Sequence, residues 1–326
     1  MRLLDQIAQY QNLRNASNLC SKGKRSSRGY QIFLSRYSDE LVNIRQQLLS
    51  GSYRWSRYRS FMVHDPKARI ISAPEFRDRV VHTAICSYLE PLIESRLSKA
   101  VYACRKGRGN RNAVIELHTR LRRYGKQRFV VKLDVSKYFD SIEQNLLLEK
   151  IHNILPDDSL TPLLNSLIKS YHSNLGEGKG LPIGALTSQL FANFYLSDAD
   201  KVVDKALAGE LYIRYMDDLV LCGESRESIW KAANEVRDFV ANHLHLSIPY
   251  SKVVPLGCDP IPFLGFVIDH TGYRILARNR RRHSKKIRRL VKKGARESEV
   301  EQVRLSFAAW QELNPHLSIR MNENSC

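Results

Sequence analysis

The spacing of apolar residues predicts a mostly helical arm over residues 1–60. Leu41, Ile44 and Leu48 recur every three or four positions, as they would along one face of a helix. A basic, serine-rich stretch, residues 22–28, interrupts this pattern and is expected to be exposed. The arm is therefore predicted to consist of helices with a solvated connector between them.

After this arm the pattern changes to short runs rich in β-forming residues. Asp65 and Pro66 separate two such runs and signal a turn, which predicts a hairpin with Lys67 and Arg69 on its return strand. Apolar residues about four positions apart then predict two helices separated by a glycine-rich basic loop, over residues 78–97 and 112–124.

The middle of the chain alternates strand and helix signals, which excludes an all-helical protein and leaves the α+β and α/β classes. The apolar run over residues 129–134 predicts a buried strand, and the runs over residues 211–215 and 219–222 predict a hairpin. Asp217 and Asp218 lie at the tip of that hairpin. Helical spacing is found over residues 144–154, 161–171 and 187–203.

The last part of the chain has a different composition. Between Arg274 and Lys293 there are eleven Lys or Arg residues and no acid. An amphipathic helix is predicted after them, over residues 299–313, with Val303, Phe307 and Trp310 on one face. We therefore expect a small basic helical domain here.

Composition narrows the class of partner. The chain has 326 residues, 43% of them hydrophobic, and a formal charge of +19, so it is globular and needs an anionic partner. Its apolar stretches are too short and too often interrupted by charge to cross a bilayer, which favours nucleic acid over a membrane. The six cysteines form no C-x-x-C pair and no apolar leader begins the chain, so we expect reduced thiols and a cytoplasmic protein.

Three carboxylates stand out as candidate chemistry. Asp134 ends the buried strand, and Asp217 and Asp218 occupy the hairpin tip. In most sequences such residues are a helix cap and an ordinary turn. If the two strands lie side by side, however, the acids converge, and like charges at short range require a cation such as Mg²⁺. A two-metal centre suits in-line phosphoryl transfer.

Four motifs, in this order, resemble the palm motifs of reverse transcriptases. They are VKLDVSKYFD at residues 131–140, PIGALTSQ at 182–189, YMDD at 215–218 and FLG at 263–265. The resemblance extends over residues 60 to 270, in the style of the group II intron and retron relatives, and it implies an RNA-directed DNA polymerase that uses dNTPs and binds template RNA and a primer or cDNA.

The resemblance also implies an architecture. The expected fold class is α+β, a right-hand polymerase fold with fingers, an antiparallel-sheet palm and a small helical thumb. The corresponding segments are a helical N-terminal arm (1–60), fingers (61–125), palm (126–270) and a basic helical thumb (271–326).

Within this resemblance, Asp134 and Asp217 match the catalytic metal-binding aspartates, and Asp218 matches the acid that supports the metal or the fold. The implied cofactor is a pair of Mg²⁺ ions, which Mn²⁺ could replace. Phe139 matches the steric gate that rejects a 2′-hydroxyl, although a large ring is also a common core residue.

Other positions are assigned by the resemblance to the nucleotide and the primer. Lys67 and Arg69 match the cations that hold the triphosphate, a task that suits a guanidinium fork. Lys252 falls where the family keeps a lysine for pyrophosphate, and an ordinary surface lysine is an equal alternative. The remaining residues are Ile183, Gly184 and Gln189 in the nucleotide pocket and Phe263, Leu264 and Gly265 in the primer grip. Apart from the resemblance, the pattern of the FLG motif predicts only a strand that contains a glycine.

Two basic segments are expected to contact nucleic-acid backbone, since phosphate contacts give affinity without sequence preference. A solvated basic face is the alternative, and an acidic partner would bind such a surface equally well. The candidates are Arg105, Lys106, Arg108, Arg111, Arg280, Arg281, Arg282, Lys285, Lys286, Arg288 and Arg289.

Ile183 departs from the wider family, which has Gln at this position, and Gln189 stands where the wider family has Pro. This form resembles the reverse transcriptases of diversity-generating retroelements, which are bacterial or phage-encoded. The resemblance implies that the enzyme copies a template-repeat RNA into cDNA with errors at adenines, together with a small oligomeric accessory protein. Loss of the amide could loosen the pocket against mispairs.

Two alternatives stay open at this point. A retron or phage-defence reverse transcriptase would share the palm but act on a different RNA. A catalytically idle RNA-binding scaffold would keep the fold and use its charge of +19 to hold RNA.

Overall fold

The computed structural model describes residues 1–64, 68–124 and 127–311, with side chains up to residue 308. The predicted turn at Asp65 and Pro66, together with Lys67 and the side chain of Trp310, lies outside the described residues. The chain separates into two compact units. The first unit comprises Met1–Lys99, Val135–Val202 and Val236–Pro249, and the second comprises Ala100–Asp134, Val203–Glu235 and Tyr250–Cys326.

Helices and strands alternate along the chain. The helices are α1 Leu3–Ile7, α2 Tyr10–Ser21, α3 Arg28–Ser35, α4 Tyr37–Leu49, α5 Phe76–Glu94, α6 Asn110–Tyr124, α7 Tyr138–Ser141, α8 Gln144–His152, α9 Thr161–Ile168, α10 Leu186–Tyr195, α11 Ser197–Leu207, α12 Arg226–Leu244, α13 Ala277–Lys292 and α14 Glu297–Gln311. The strands are β1 Arg59–His64, β2 Ala68–Ala73, β3 Phe129–Asp134, β4 Leu211–Tyr215, β5 Asp218–Gly223, β6 Val254–Pro255, β7 Ile261–Phe263, β8 Phe266–Ile268 and β9 Tyr273–Ile275.

The second unit is built on a four-stranded antiparallel sheet in the order β4-β5-β3-β6. β3 pairs with β5 along its whole length, from Phe129 opposite Gly223 to Asp134 opposite Asp218. A smaller antiparallel sheet, β7-β8-β9, lies in the same unit. These sheets and the surrounding helices confirm the predicted α+β class.

A single apolar cluster joins the two sheets of the second unit to α6. The cluster forms because alternate residues of β3, β4 and β5 point to the same face, where apolar residues of α6 cover them. Its members include Val114 and Leu117 of α6, Val130 of β3, Val220 of β5, and Phe263 and Phe266 of the small sheet. This packing fixes the positions of β3 and β5, and with them the backbone that carries the acids at their ends.

The first unit contains the N-terminal arm and the hairpin of β1 and β2. Its central helix, α5, packs against α2 of the arm and against α10. The hairpin is antiparallel, and Arg69 of β2 lies opposite Val63 of β1. The predicted hairpin and the mostly helical arm are therefore confirmed. Within the described part of the chain, no helix combines the length and apolar character that a membrane span needs.

Three local predictions were wrong. The predicted helix over residues 187–203 is two helices that break at Leu196, where acids in the first turn of α11 favour a new N-terminus. Asp218 is not at the hairpin tip but is the first residue of β5. The FLG motif is not a continuous strand, because Leu264 (φ 49°) and Gly265 (φ 90°) form a tight turn between β7 and β8.

A buried carboxylate fastens the end of the arm to α5. Asp78 is 1% exposed, and it accepts hydrogen bonds from the hydroxyl of Tyr53 at 2.6 Å and the amide of Ser56 at 2.9 Å. Burial raises the pKa of Tyr53, so this hydroxyl keeps its proton and stays a donor. The contact orders the segment that leads from the arm into β1.

We predict that Tyr53→Phe lowers the free energy of unfolding by about 1–3 kcal/mol, because it leaves an oxygen of Asp78 unsatisfied in the core. Urea unfolding followed by circular dichroism measures this change. Tyr58→Phe is the matched control, since the Tyr58 hydroxyl makes only a long contact of 3.4 Å with Ser170, and its cost should be smaller. Equal costs for both variants would contradict this role of Asp78.

Candidate active site

The register of β3 and β5 brings two of the predicted acids together. Asp134 is the last residue of β3 and lies directly opposite Asp218, the first residue of β5. Directly opposed residues of an antiparallel pair have Cα atoms about 4.5–5.5 Å apart and side chains on the same face. The two carboxylates therefore start from adjacent positions at one end of the sheet.

The third acid, Asp217, lies in the two-residue turn that joins β4 to β5. The other turn residue is Met216, whose φ of 57° lies in the left-handed region. A non-glycine residue in this region costs about 1 kcal/mol or more, and such strain is common at functional sites. The turn is therefore tight and strained, and it places Asp217 one residue before Asp218.

Lys132 balances the charge of Asp218. Its Nζ lies 2.6 Å from Oδ1 of Asp218, and both side chains are partly buried. Lys132 stands two positions before Asp134 on β3, so the two side chains share a face of the strand. Lys132 is not among the residues that the sequence patterns indicate. The feature that distinguishes it in the sequence is a charged residue two positions before Asp134 in an otherwise apolar strand.

The donor set is chemically suited to a hard divalent cation. Carboxylate oxygens are the protein ligands that Mg²⁺ prefers, and Asp134, Asp217 and Asp218 all supply them. Among the described residues, however, no three His, Cys, Asp or Glu side chains come close enough together to hold a metal ion. One of the three acids, Asp218, already has Lys132 as its partner. Metal binding here stays a prediction.

In the first unit, backbone hydrogen bonds bring together the segments that carry several of the predicted nucleotide-pocket residues. The carbonyl of Phe139 accepts a hydrogen bond from the amide of Leu181 at 2.8 Å, and the carbonyl of Ile183 accepts one from the amide of Ser72 on β2, also at 2.8 Å. Phe139 is partly exposed, so its ring is not a fully enclosed core residue. These bonds connect α7, residues 181–184 and the hairpin.

Gly184 is required by the close approach of β2. Its φ is 126°, and a Cβ at this position would lie 2.9 Å from the side chain of Ile71 and 3.3 Å from the carbonyl oxygen of Ser72. A larger residue would therefore push the hairpin away from this segment. Arg69 of β2 and Gln189 of α10 are both exposed in the same unit.

A cavity of about 490 Å³, which no sequence pattern predicts, lies beside Gly184 in the first unit. His82 of α5 lines it, with Nδ1 2.7 Å from Oγ1 of Thr187 and a buried Nε2 that has no hydrogen-bond partner in the described part of the chain. Burial lowers the pKa of His82 to about 3, so the ring is neutral at physiological pH. Other lining residues are Cys20, Phe61, Ile71 and Arg79.

Two arginines of the basic loop after α5 form hydrogen bonds with the backbone at the start of the loop. Nη1 of Arg105 and Nη1 of Arg108 both donate to the carbonyl of Val101, at 3.1 and 3.4 Å. Lys106 and Arg111 are exposed. The loop thus offers at least two cations to solvent and uses two to fix its own shape.

The predicted basic helix is confirmed as α13, and it packs against α14. The contact is a stack of His283 on Phe307 with ring centroids 3.8 Å apart. The candidate cations of α13 are exposed except for Arg282, which is partly buried. Lys252 is also exposed and belongs to the same unit, so its role stays a prediction.

We predict that the free energy of unfolding falls as pH falls from about 6.5 toward 5, in part because of His82. Its pKa is about 3 in the folded chain and near 6.5 when unfolded, so the unfolded chain binds the proton first across this window. The limiting slope for one group is about 1.4 kcal/mol per pH unit.

His82→Gln should therefore flatten the dependence on pH in urea unfolding experiments between pH 6.5 and 5. Ile85→Ala is the control, because Ile85 is a buried residue of the same helix with no titratable group and should lower stability equally at each of these pH values. An unchanged slope in His82→Gln would show that His82 titrates normally in the folded chain.

The family model described as "Reverse transcriptase (RNA-dependent DNA polymerase)" matches residues 64–268. The chain is 28% identical over 211 residues to Protein YkfC of Escherichia coli (strain K12), an alignment that covers 62% of this chain and 52% of YkfC. It is 27% identical over 205 residues to the Group II intron-encoded protein LtrA of Lactococcus lactis subsp. cremoris, covering 60% of this chain and 32% of LtrA.

These alignments span only about half of YkfC and a third of LtrA. Among solved structures, apo telomerase from Candida Tropicalis superposes with a TM-score of 0.50 and 12% identity, covering 68% of this chain and 48% of that chain. At this identity the likeness concerns the fold alone. It confirms the predicted right-hand polymerase fold.

Proposed function

Because the chain belongs to the reverse transcriptase (RNA-dependent DNA polymerase) family, we propose that it adds deoxynucleotides to a primer 3′-hydroxyl as directed by an RNA template. The observation that carries this proposal is the register of β3 and β5, with Asp134 opposite Asp218 and Asp217 in the adjacent turn. Inactive relatives that only bind RNA would have no need to keep three carboxylates at one end of a sheet, since their mutual repulsion is costly.

The aspartates would hold the cofactor. Asp134 and Asp217 are the proposed ligands, and Asp218, which Lys132 neutralises, supports their geometry. When bound, two Mg²⁺ ions would activate the primer hydroxyl and stabilise the charge on the leaving pyrophosphate, and Mn²⁺ could take their place. The protein contributes position, because phosphoryl transfer needs no covalent intermediate.

The first unit would select the nucleotide. Arg69, with Lys67, would hold the triphosphate, and the partly exposed ring of Phe139 would reject a 2′-hydroxyl. Ile183 and Gly184 would shape the pocket, and the contact of Gly184 with β2 supports this by fixing the hairpin beside them. Gln189 would also line the nucleotide pocket, Lys252 would contact the pyrophosphate, and Phe263, Leu264 and Gly265 would form the primer grip.

The finer proposal is that the enzyme works in a diversity-generating retroelement, copies a template-repeat RNA with errors at adenines, and acts with a small oligomeric accessory protein. Ile183 supports it, because an apolar side chain there cannot hydrogen-bond the nucleotide as an amide would. The exposed cations of α13 would bind the RNA backbone or that accessory protein. A retron or phage-defence enzyme is the alternative with the same active site.

We predict that Asp217→Asn reduces primer extension on an RNA template, with Mg²⁺ and dNTPs, by at least about 100-fold, because the amide is a poorer ligand for a hard cation. Gel analysis of the extended primer measures this. Asp39→Asn is the control, since Asp39 is an exposed acid of the arm. Extension that survives in Asp217→Asn would contradict the role of Asp217 as a metal ligand. Absence of extension from the wild-type protein while RNA binding persists would favour the RNA-binding scaffold.

We predict that Ile183→Gln lowers the error rate opposite template adenines several-fold, because the restored amide adds a hydrogen bond that only a correctly placed nucleotide satisfies. Sequencing of cDNA made with and without the candidate accessory protein measures it. Ile115→Gln, an exposed position on α6, is the matched substitution and should change nothing. Faithful wild-type cDNA would point to a retron-like enzyme, and an unchanged adenine error rate in Ile183→Gln would remove Ile183 as the cause.

A further inference from the structure

Arg214 is among the largest fully buried side chains of the described protein, with 0% exposure, although it carries a charge. It lies on β4, one residue before Tyr215, where the strand ends. A buried charge is costly unless hydrogen bonds satisfy it. Nη1 of Arg214 donates to the carbonyl oxygen of Met216 at 3.0 Å. That carbonyl belongs to the peptide group that connects Met216 to Asp217.

The backbone of Arg214 is also held on both sides. Its amide donates to the carbonyl of Ala100, and its carbonyl accepts from the amide of Tyr102, each at 2.9 Å. Val101 therefore forms a parallel bridge with Arg214 along the free edge of β4. These two hydrogen bonds hold the backbone from which the Arg214 side chain extends to the turn.

The direction of the side chain follows from the register. Tyr215 pairs with Asp218 and shares its face, whereas Arg214 pairs with Leu219 on the opposite face. Arg214 thus contacts the turn from the face opposite to the one on which Lys132 pairs with Asp218. A cation therefore acts on each face of the sheet: Arg214 on the turn itself, and Lys132 on Asp218, the residue that follows the turn.

We propose that Arg214 is a positioning residue that fixes the peptide between Met216 and Asp217 and thereby sets the direction of the Asp217 carboxylate. This inference rests on the proposed function, because it takes Asp217 as a metal ligand. A charge-assisted hydrogen bond from a rigid guanidinium is strong and directional. It stabilises the left-handed backbone of Met216, which would otherwise relax and rotate the peptide.

The test compares full-length Arg214→Met, which has no donor, with Arg214→Lys, which keeps one charged donor. Leu221→Ala is the control, because Leu221 is a buried β5 residue that pairs with Tyr212, farther from the turn. The readouts are Mn²⁺ affinity, from the electron paramagnetic resonance signal of free Mn²⁺, and amide hydrogen exchange of the peptide that contains residues 216–219. The melting temperature of each variant is measured alongside.

We expect Arg214→Met to weaken Mn²⁺ binding about 10-fold or more, as the loss of a group that orients a metal ligand does, and to speed exchange at the turn. Arg214→Lys should lose less on both readouts. Leu221→Ala should lower the melting temperature while leaving Mn²⁺ affinity and exchange at the turn unchanged. If Arg214→Met does not fold, Arg214→Lys is expected to show the same two changes relative to Leu221→Ala.

Wild-type Mn²⁺ affinity and turn exchange in the Arg214 variants, or changes no larger than those of Leu221→Ala, would overturn the proposal. Neither readout requires polymerisation. A wild-type protein that fails to extend a primer would therefore overturn the proposed function and leave the comparison at Arg214 intact. If the wild-type protein bound no Mn²⁺, amide hydrogen exchange of residues 216–219 would still decide whether Arg214 holds the turn.

Discussion

The antiparallel register between β3 and β5 is the constraint on which the candidate active site depends. It sets Asp134 opposite Asp218, and a shift of one residue would move either acid to the other face of the sheet. The register is fixed by apolar residues further along the same strands, such as Val130 opposite Cys222, which lie in the core cluster with α6. Six consecutive residue pairs of β3 and β5 thus connect the packing of the core to the positions of the acids.

Placing carboxylates side by side creates a repulsion that the protein must manage before any cofactor binds. Lys132 offsets part of it through its ion pair with Asp218. Arg214, buried at the other face, holds the strained turn that presents Asp217. Both cations come from strands of the same sheet, so the groups that hold the acids belong to the sheet that carries them. This arrangement suits a catalyst that works by positioning groups.

Much of this could be predicted from the sequence because it rests on local patterns. The bounds of β3, residues 129–134, match the apolar run, and the two apolar runs flanking the YMDD motif are β4 and β5. The turn at Leu264 and Gly265 was read as a strand, because its apolar neighbours hide the two positive φ values. The break at Leu196 was missed because apolar spacing continues across it.

The charged and buried groups could not be predicted, because burial depends on residues distant in sequence. In the sequence, three of these groups look like ordinary polar positions: Lys132, Arg214 and His82. Only the folded structure shows that Lys132 pairs with Asp218, that Arg214 is buried and that His82 lines a cavity. The resemblance to reverse transcriptases supplied the roles of the aspartates. It did not supply the groups that hold them in place.

The most direct test of the central claim is anomalous X-ray diffraction from crystals of the full chain grown with template, primer, a non-hydrolysable dNTP and Mn²⁺. The β3–β5 register predicts anomalous peaks within coordination distance of the carboxylates of Asp134 and Asp217. Peaks elsewhere, or occupied nucleic acid with no peak at these aspartates, would contradict the account.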